Sequence, residues 1–223
     1  MKKLVSTFVI VLISASISSL RAQENTQLGL DIAKAQEENR KQLMNYSWQR
    51  SAKAFSNGEE KLHTLVKVWF NTDGKMESSV LSAETTVKQK RGVRGKVQQG
   101  AGEDLAALLE KTLRSSIQYV LLSKGYWIDL IDVAEVKVED GVVKIDAKDL
   151  LAKGDEVHYI IDSSTNLFKS IKISSAVDGK PFTSSIDFKT MSDGTNHPSH
   201  TEIIIPSESL NIVAENIDYF KQQ

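Results

Sequence analysis

The sequence predicts an α+β fold. Its core is one large antiparallel sheet of about nine or ten strands, covered by an N-terminal helix and one internal helix. Three observations predict it. Short turn signals (Asn57-Gly58, Asp73-Gly74, Asp140-Gly141, Asp178-Gly179) separate runs in which apolar and polar residues alternate. The links between those runs suit antiparallel neighbours and are too short for parallel crossovers. Only two stretches after the N-terminus carry apolar residues at helical spacing, and they alone offer stripes to cover an apolar sheet face.

The elements follow in order. Lys2 and Lys3, the apolar run Leu4 to Ile13 and the end Leu20-Arg21-Ala22-Gln23 have the charged, apolar and small-residue parts of a secretory signal peptide. Residues 1–23 are expected to be removed on export, leaving 24–223 as one domain. A core of about ten apolar residues is too short for a stable bilayer span. Cleavage would remove three of the 28 basic residues and none of the 29 acidic ones, moving the net charge from −1 to −4.

Gln27 to Met44 reads as a helix with a thin stripe, Leu28, Ile32, Ala35, Asn39 and Leu43. Tyr46 to Ser56, Glu59 to Phe70 and Lys75 to Ala83 form a three-stranded meander. The segment from Val87 to Lys96 is basic and glycine-containing and reads as a loop. Glu103 to Lys124 is the clearest helix, its face formed by Leu105, Leu108, Leu109, Leu113, Ile117, Val120 and Leu121, with Gly125 placed as its C-terminal cap. Beyond Trp127 six or seven strands follow. Alternation is plainest at Val157, Tyr159 and Ile161 and at Phe182, Ser184, Ile186 and Phe188.

Composition narrows function. The chain has 223 residues, 40% of them hydrophobic and 26% charged, with no cysteine. That excludes a disordered or disulfide-stapled chain, a thiol nucleophile, a cysteine–zinc site and lipid attachment through cysteine. The near-neutral charge offers no general attraction to nucleic acid. G-x-S-x-G, H-E-x-x-H, G-x-G-x-x-G and phosphate-loop patterns are absent, so neither an enzyme nor a cofactor is expected. Asp129 and Asp132 form an acidic pair of a kind that 29 acidic residues produce by coincidence. His197 and His200, near Asp193 and Glu202, are the one arrangement with metal-ligand chemistry, and a metal-dependent hydrolase would be built on them. Strand residues three apart face opposite ways, so two solvent-exposed loop histidines are the expected outcome and no metal is assigned. His63 and His158 read as surface positions on strands.

Two groups remain as candidate sites. The aromatics Trp48, Trp69, Phe70, Trp127, Phe182 and Phe188, with Leu109 and Leu113 of the internal helix, lie where they would line a concave sheet and its cover. Such a surface holds a lipid or another hydrophobic ligand, and the same side chains would equally fill a solid core. Lys88, Lys90, Arg91, Arg94 and Lys96 place five positive charges in nine residues. They suit anionic headgroups at about 1 kcal/mol each, or an acidic envelope partner if the protein is a docking scaffold.

The order helix, three strands, helix and a long run of strands resembles the periplasmic lipoprotein carriers, a half-barrel superfamily, over roughly Gln27 to Phe220. The carriers' arginine-centred strand motif is not found, so no carrier residue is transferred. Tyr46-Ser47-Trp48, Asn57-Gly58-Glu59, Asp73-Gly74-Lys75, Lys90 to Lys96 and Asp193-Gly194-Thr195-Asn196 resemble a group of exported bacterial proteins. Together these likenesses imply that the large antiparallel sheet is curved into an incomplete barrel, and that the protein is periplasmic and non-enzymatic and binds a lipid or lipoprotein.

Overall fold

The computed structural model describes residues 26–85 and 93–222. The export segment and Lys88, Lys90 and Arg91 lie outside the described residues. Helix α1 spans residues 26–43. After it come strands β1 (Tyr46–Ser56), β2 (Glu59–Phe70) and β3 (Met76–Thr85), then helices α2 (Val93–Gln118) and α3 (Lys124–Val133). Strands β4 (Glu135–Glu139), β5 (Val142–Lys148), β6 (Glu156–Asp162), β7 (Phe168–Val177), β8 (Lys180–Thr190) and β9 (Asn196–Ile205) follow. A 3-10 turn at Pro206–Glu208 leads into β10 (Leu210–Lys221).

All ten strands pair antiparallel in one open sheet of order β3-β2-β1-β10-β9-β8-β7-β6-β5-β4. The first and last strands of the chain are therefore neighbours, Ala52 opposite Ala214. Three hairpins turn on Asn57-Gly58, Asp140-Gly141 and Asp178-Gly179, where both central residues have positive φ, the twist that matches flanking strands. Asp73-Gly74 differs. The loop from Asn71 to Lys75 is longer, and only Gly74 has positive φ, because a longer hairpin loop places one residue rather than two in the left-handed region.

One face of the sheet carries the core. Val143 and Ile145, Val157 and Tyr159, Ile171 and Ile173, Phe182 and Ile186, Ile203 and Ile212 are buried inward-facing pairs on successive strands, as period-two alternation requires. Each such side chain contributes about 1.5–3 kcal/mol by leaving water. The helices cover this face with Ile32 and Ala33 of α1, Leu109 and Leu113 of α2, and Trp127, Leu130 and Ile131 of α3. Gly29 lets α1 lie against α3, since a Cβ there would stand 3.2 Å from Ile131 Cβ. A second cluster, Leu43, Trp48, Val66, Val68 and Phe70, packs under the end of α1.

The internal helical region departs from expectation in three places. The helix expected over Glu103 to Lys124 ends at Gln118, and a separate helix occupies Lys124–Val133, so the internal cover is two helices. Gly125 is not a terminal cap. It lies in the first turn of α3, which starts where the Ser123 side chain accepts a hydrogen bond from the Tyr126 N–H at 3.4 Å. The expected loop is helical from Val93, which puts the backbone of Arg94 and Lys96 in α2. Arginine, lysine, glutamine and alanine favour helix strongly enough there to carry the glycines.

Candidate functional site

A cleft of ≈ 490 Å³ lies between α1 and the link joining α2 to α3. Leu43 and Met44 from α1 and its end, Val120 to Leu122 from the link, and Phe168, Phe188 and Pro198 from β7, β8 and β9 supply its apolar lining. Glu37, Arg40, Lys41 and Lys124 stand among the same lining residues. An apolar interior with few polar groups is the common form of a small-ligand site, and this volume lies in the usual range.

Polar contacts fix α1 to the sheet beside the cleft. On α1, Gln36 Nε2 donates to the Asn166 carbonyl at 2.8 Å. Asn39 makes a reciprocal pair with the backbone of Asn196: its Nδ2 donates to the carbonyl at 2.8 Å, and its Oδ1 accepts from the N–H at 2.7 Å. These amides occupy α1 positions that face the sheet and tie the helix to it. In α1 the spacing of Gln36 and Asn39 from Ile32 and Leu43 places all four on one side.

The opposite wall hangs on Asp155, which is buried. Its carboxylate accepts from the N–H groups of Leu150, Leu151 and Ala152 at 2.6, 2.9 and 2.9 Å and from the Tyr119 hydroxyl at 2.8 Å. The Tyr159 hydroxyl donates to the Tyr119 carbonyl at 3.1 Å. Burial pushes the Tyr119 phenol up to about 12, and the Asp155 hydrogen bond adds to that rise. Tyr159 is raised well above its ordinary value, again first by burial. Both phenols are therefore neutral donors at physiological pH. The link between Tyr119 and the Ser123 cap is left non-helical, and its Val120–Leu122 stretch faces α1 across the cleft.

One buried polar atom on a residue bordering the cleft stands out. Asn196 is buried and among the lining residues, and its Oδ1 has no hydrogen-bond partner. A buried acceptor without a donor is costly.

The structure distributes the sequence candidates unevenly. Phe188 alone of the eight lines the cleft. Trp127 is fully buried and packs edge-on to Tyr159 with ring centroids 5.0 Å apart, and against Phe168 at 5.7 Å. Leu109, Leu113 and Phe182 sit in the same filled core. Trp48 and Phe70 belong to the second cluster, their rings 5.8 Å apart. Trp69 is half-buried on the opposite face of the sheet from Phe70, because adjacent strand residues point opposite ways.

The histidines also need correction. His197 is not an exposed loop residue. It starts β9, is buried, and packs 4.2 Å from the Tyr219 ring. Burial lowers its pKa, against a smaller rise from the Pro198 carbonyl. His200 instead meets Glu215 at 3.8 Å. Asp193 is taken by Tyr46, whose hydroxyl donates to it at 2.5 Å and, with the Thr195 N–H, holds its carboxyl down to about 2. Among the described residues no three His, Asp or Glu side chains come together as a metal-holding group.

Gln36, Asn39 and Asn196 were not among the sequence candidates. The signal available was Asn39 itself, a polar residue inside an apolar stripe.

No family model matches the chain, and no curated protein matches it. Several solved structures share its outline. A DUF1329 family protein from Desulfovibrio piger is 11% identical with a TM-score of 0.42, the match covering 88% of this chain and 92% of that one. A LolA superfamily protein from Nitrosomonas europaea is 10% identical with a TM-score of 0.39, covering 86% and 92%. A domain described as an outer membrane lipoprotein-sorting protein, from Vibrio parahaemolyticus, is 9% identical with a TM-score of 0.44, covering 89% and 94%.

Proposed function

We propose that this is an exported, non-enzymatic protein of the bacterial periplasm that carries a lipid, or the acyl part of a lipoprotein, in the cleft between α1 and the α2–α3 link. The observation that carries the reading is the cleft itself: ≈ 490 Å³ of largely apolar lining whose walls are fixed by buried polar anchors. A cavity that merely awaited better packing would be free to close. Here α1 is tied to the sheet by the Asn39–Asn196 pair, and the end of α2 is tied by the Tyr119–Asp155 bond.

Charge at the cleft supports an amphiphile rather than a plain hydrocarbon. Arg40, Lys41 and Lys124 accompany Glu37 among the lining residues, and Lys41 is partly engaged by Glu37 at 3.0 Å. An apolar chain would occupy the interior, and an anionic head would meet the cations. The segment 1–23 supplies the export expectation, and among the described residues no helix is long and apolar enough to cross a membrane.

The test is to express the full chain in its envelope, purify the protein without detergent and extract it for lipid mass spectrometry. Recovery of one lipid class in near-stoichiometric amount, lost in a Phe188→Trp variant that fills the cleft, is the expected outcome. Repeated recovery of no lipid, with no binding of added fatty acid or phospholipid, would contradict the reading.

A further inference from the structure

Arg50 lies on β1 between Trp48 and Ala52, at an inward-facing position, and is 6% exposed. Arginine remains protonated at any physiological pH, and a buried charge is normally paired. Arg50 meets no carboxylate among the described residues. Its Nε donates to Asn216 Oδ1 at 3.2 Å, and its Nη2 reaches Met76 Sδ at 4.0 Å. Asn216 is fixed in that orientation: its Oδ1 also accepts from Trp48 Nε1 at 3.1 Å, and its Nδ2 donates to the Pro198 carbonyl at 3.0 Å. Glu110 of α2 acts on Arg50 through space, but its carboxylate is bonded to Arg114 at 3.0 Å. The three charges sum to one uncompensated positive.

Beside Arg50 is a small, partly open void of ≈ 10 Å³, lined by Arg50, Ser116, Thr201 and Asn216 together with Leu113, Ile117, Ile186 and Pro198. That is room for one water-sized occupant. Ser116 is 1% exposed and its Oγ has no partner. A hydroxyl without an acceptor, a guanidinium with unused N–H groups and four apolar side chains therefore meet around one small space.

We propose that this void is an anion site, in which Arg50, Ser116 and Thr201 hold one monovalent ion of halide size, chloride in the first instance. The ion neutralises the guanidinium where low dielectric makes that interaction strong, and it gives Ser116 Oγ its missing acceptor. Ser116 is on α2, Arg50 on β1 and Thr201 on β9, so one ion ties the internal helix to two strands. The site is separate from the cleft and independent of what the cleft carries.

Thermal unfolding of the intact protein tests it, at constant sodium, with gluconate replaced stepwise by chloride or bromide. Gluconate is too large to enter. The expected result is a saturable rise in Tm of about 2–4 °C with either halide. Ser116→Ala should shift the midpoint several-fold to higher halide, and Arg50→Met should abolish the response. Crystals soaked in bromide should show an anomalous peak between Arg50 and Ser116, a readout that needs no variant. A Tm unchanged from gluconate to chloride would overturn the proposal, as would a full halide response in Arg50→Met or bromide peaks only elsewhere.

Discussion

Two parts of the covered sheet face are built from the same kinds of residue and end differently. Under α3, Trp127, Tyr159 and Phe168 meet ring against ring in the core. Under α1, Phe168 and Phe188 again supply aromatic surface, yet ≈ 490 Å³ stays open. The difference lies in what fixes the helices. α3 contributes Trp127, Leu130 and Ile131, three buried apolar side chains that settle to whatever depth packing allows. α1 presents Gln36 and Asn39 beside Ile32 and Leu43, and their hydrogen bonds to Asn166 and Asn196 set the helix at a fixed distance. Apolar residues fill space, whereas amides of fixed reach can preserve it.

Substitutions in the two regions should therefore behave differently. The largest loss is expected from Trp127→Ala in the filled region, about 3–5 kcal/mol by urea unfolding, with ligand binding in the surviving folded fraction unchanged. Asp155→Ala removes the acceptor of one phenol and three N–H groups and should cost about 3 kcal/mol. It also frees the link wall, so ligand release should accelerate. Asn39→Ala breaks the pair with Asn196 for about 1–2 kcal/mol. Its clearer effect should be on binding, because α1 is then free to settle. Phe188→Trp should change stability by less than about 1.5 kcal/mol while weakening ligand binding about tenfold or more. Equal binding by Phe188→Trp and wild type, measured by titration calorimetry, would erase the distinction between the regions.

The smallest predicted effect concerns pH. Burial lowers the pKa of His197 in the folded protein, so the folded state disfavours its protonation relative to the unfolded chain. That contribution to stability is fully present above the unfolded value of about 6.5, and it is lost as pH falls from there through the lowered folded value. Wild type should therefore lose stability between pH 7 and the mid-acid range more steeply than His197→Gln, as read from urea midpoints across that range.

Much of the sheet was legible in the sequence, because its signals are local. Asn57-Gly58 and Asp178-Gly179 announce their hairpins, and Val157, Tyr159 and Ile161 show the inward face directly. Helix α3 was not read. Its Gly125 resembles a cap, and Trp127, Ile128 and Ile131 favour strands, although Trp127, Leu130 and Ile131 have helical spacing. The cleft was harder to see. Gln36 and Asn39 find partners 130 and 157 residues away, and nothing in their own neighbourhood distinguishes a helix that spaces from one that packs. Arg50 was hidden for a related reason: its register between Trp48 and Ala52 turns it inward, but its polarity reads as an outward residue.

The most direct test of the central claim is a titration of the protein with a long-chain fatty acid, followed residue by residue by NMR. The account predicts saturable shifts of the Leu43, Met44, Val120 and Leu122 methyls and the Phe188 ring, with the Trp127 indole undisturbed. Shifts centred on Trp127, or no saturable shifts at the cleft, would contradict it.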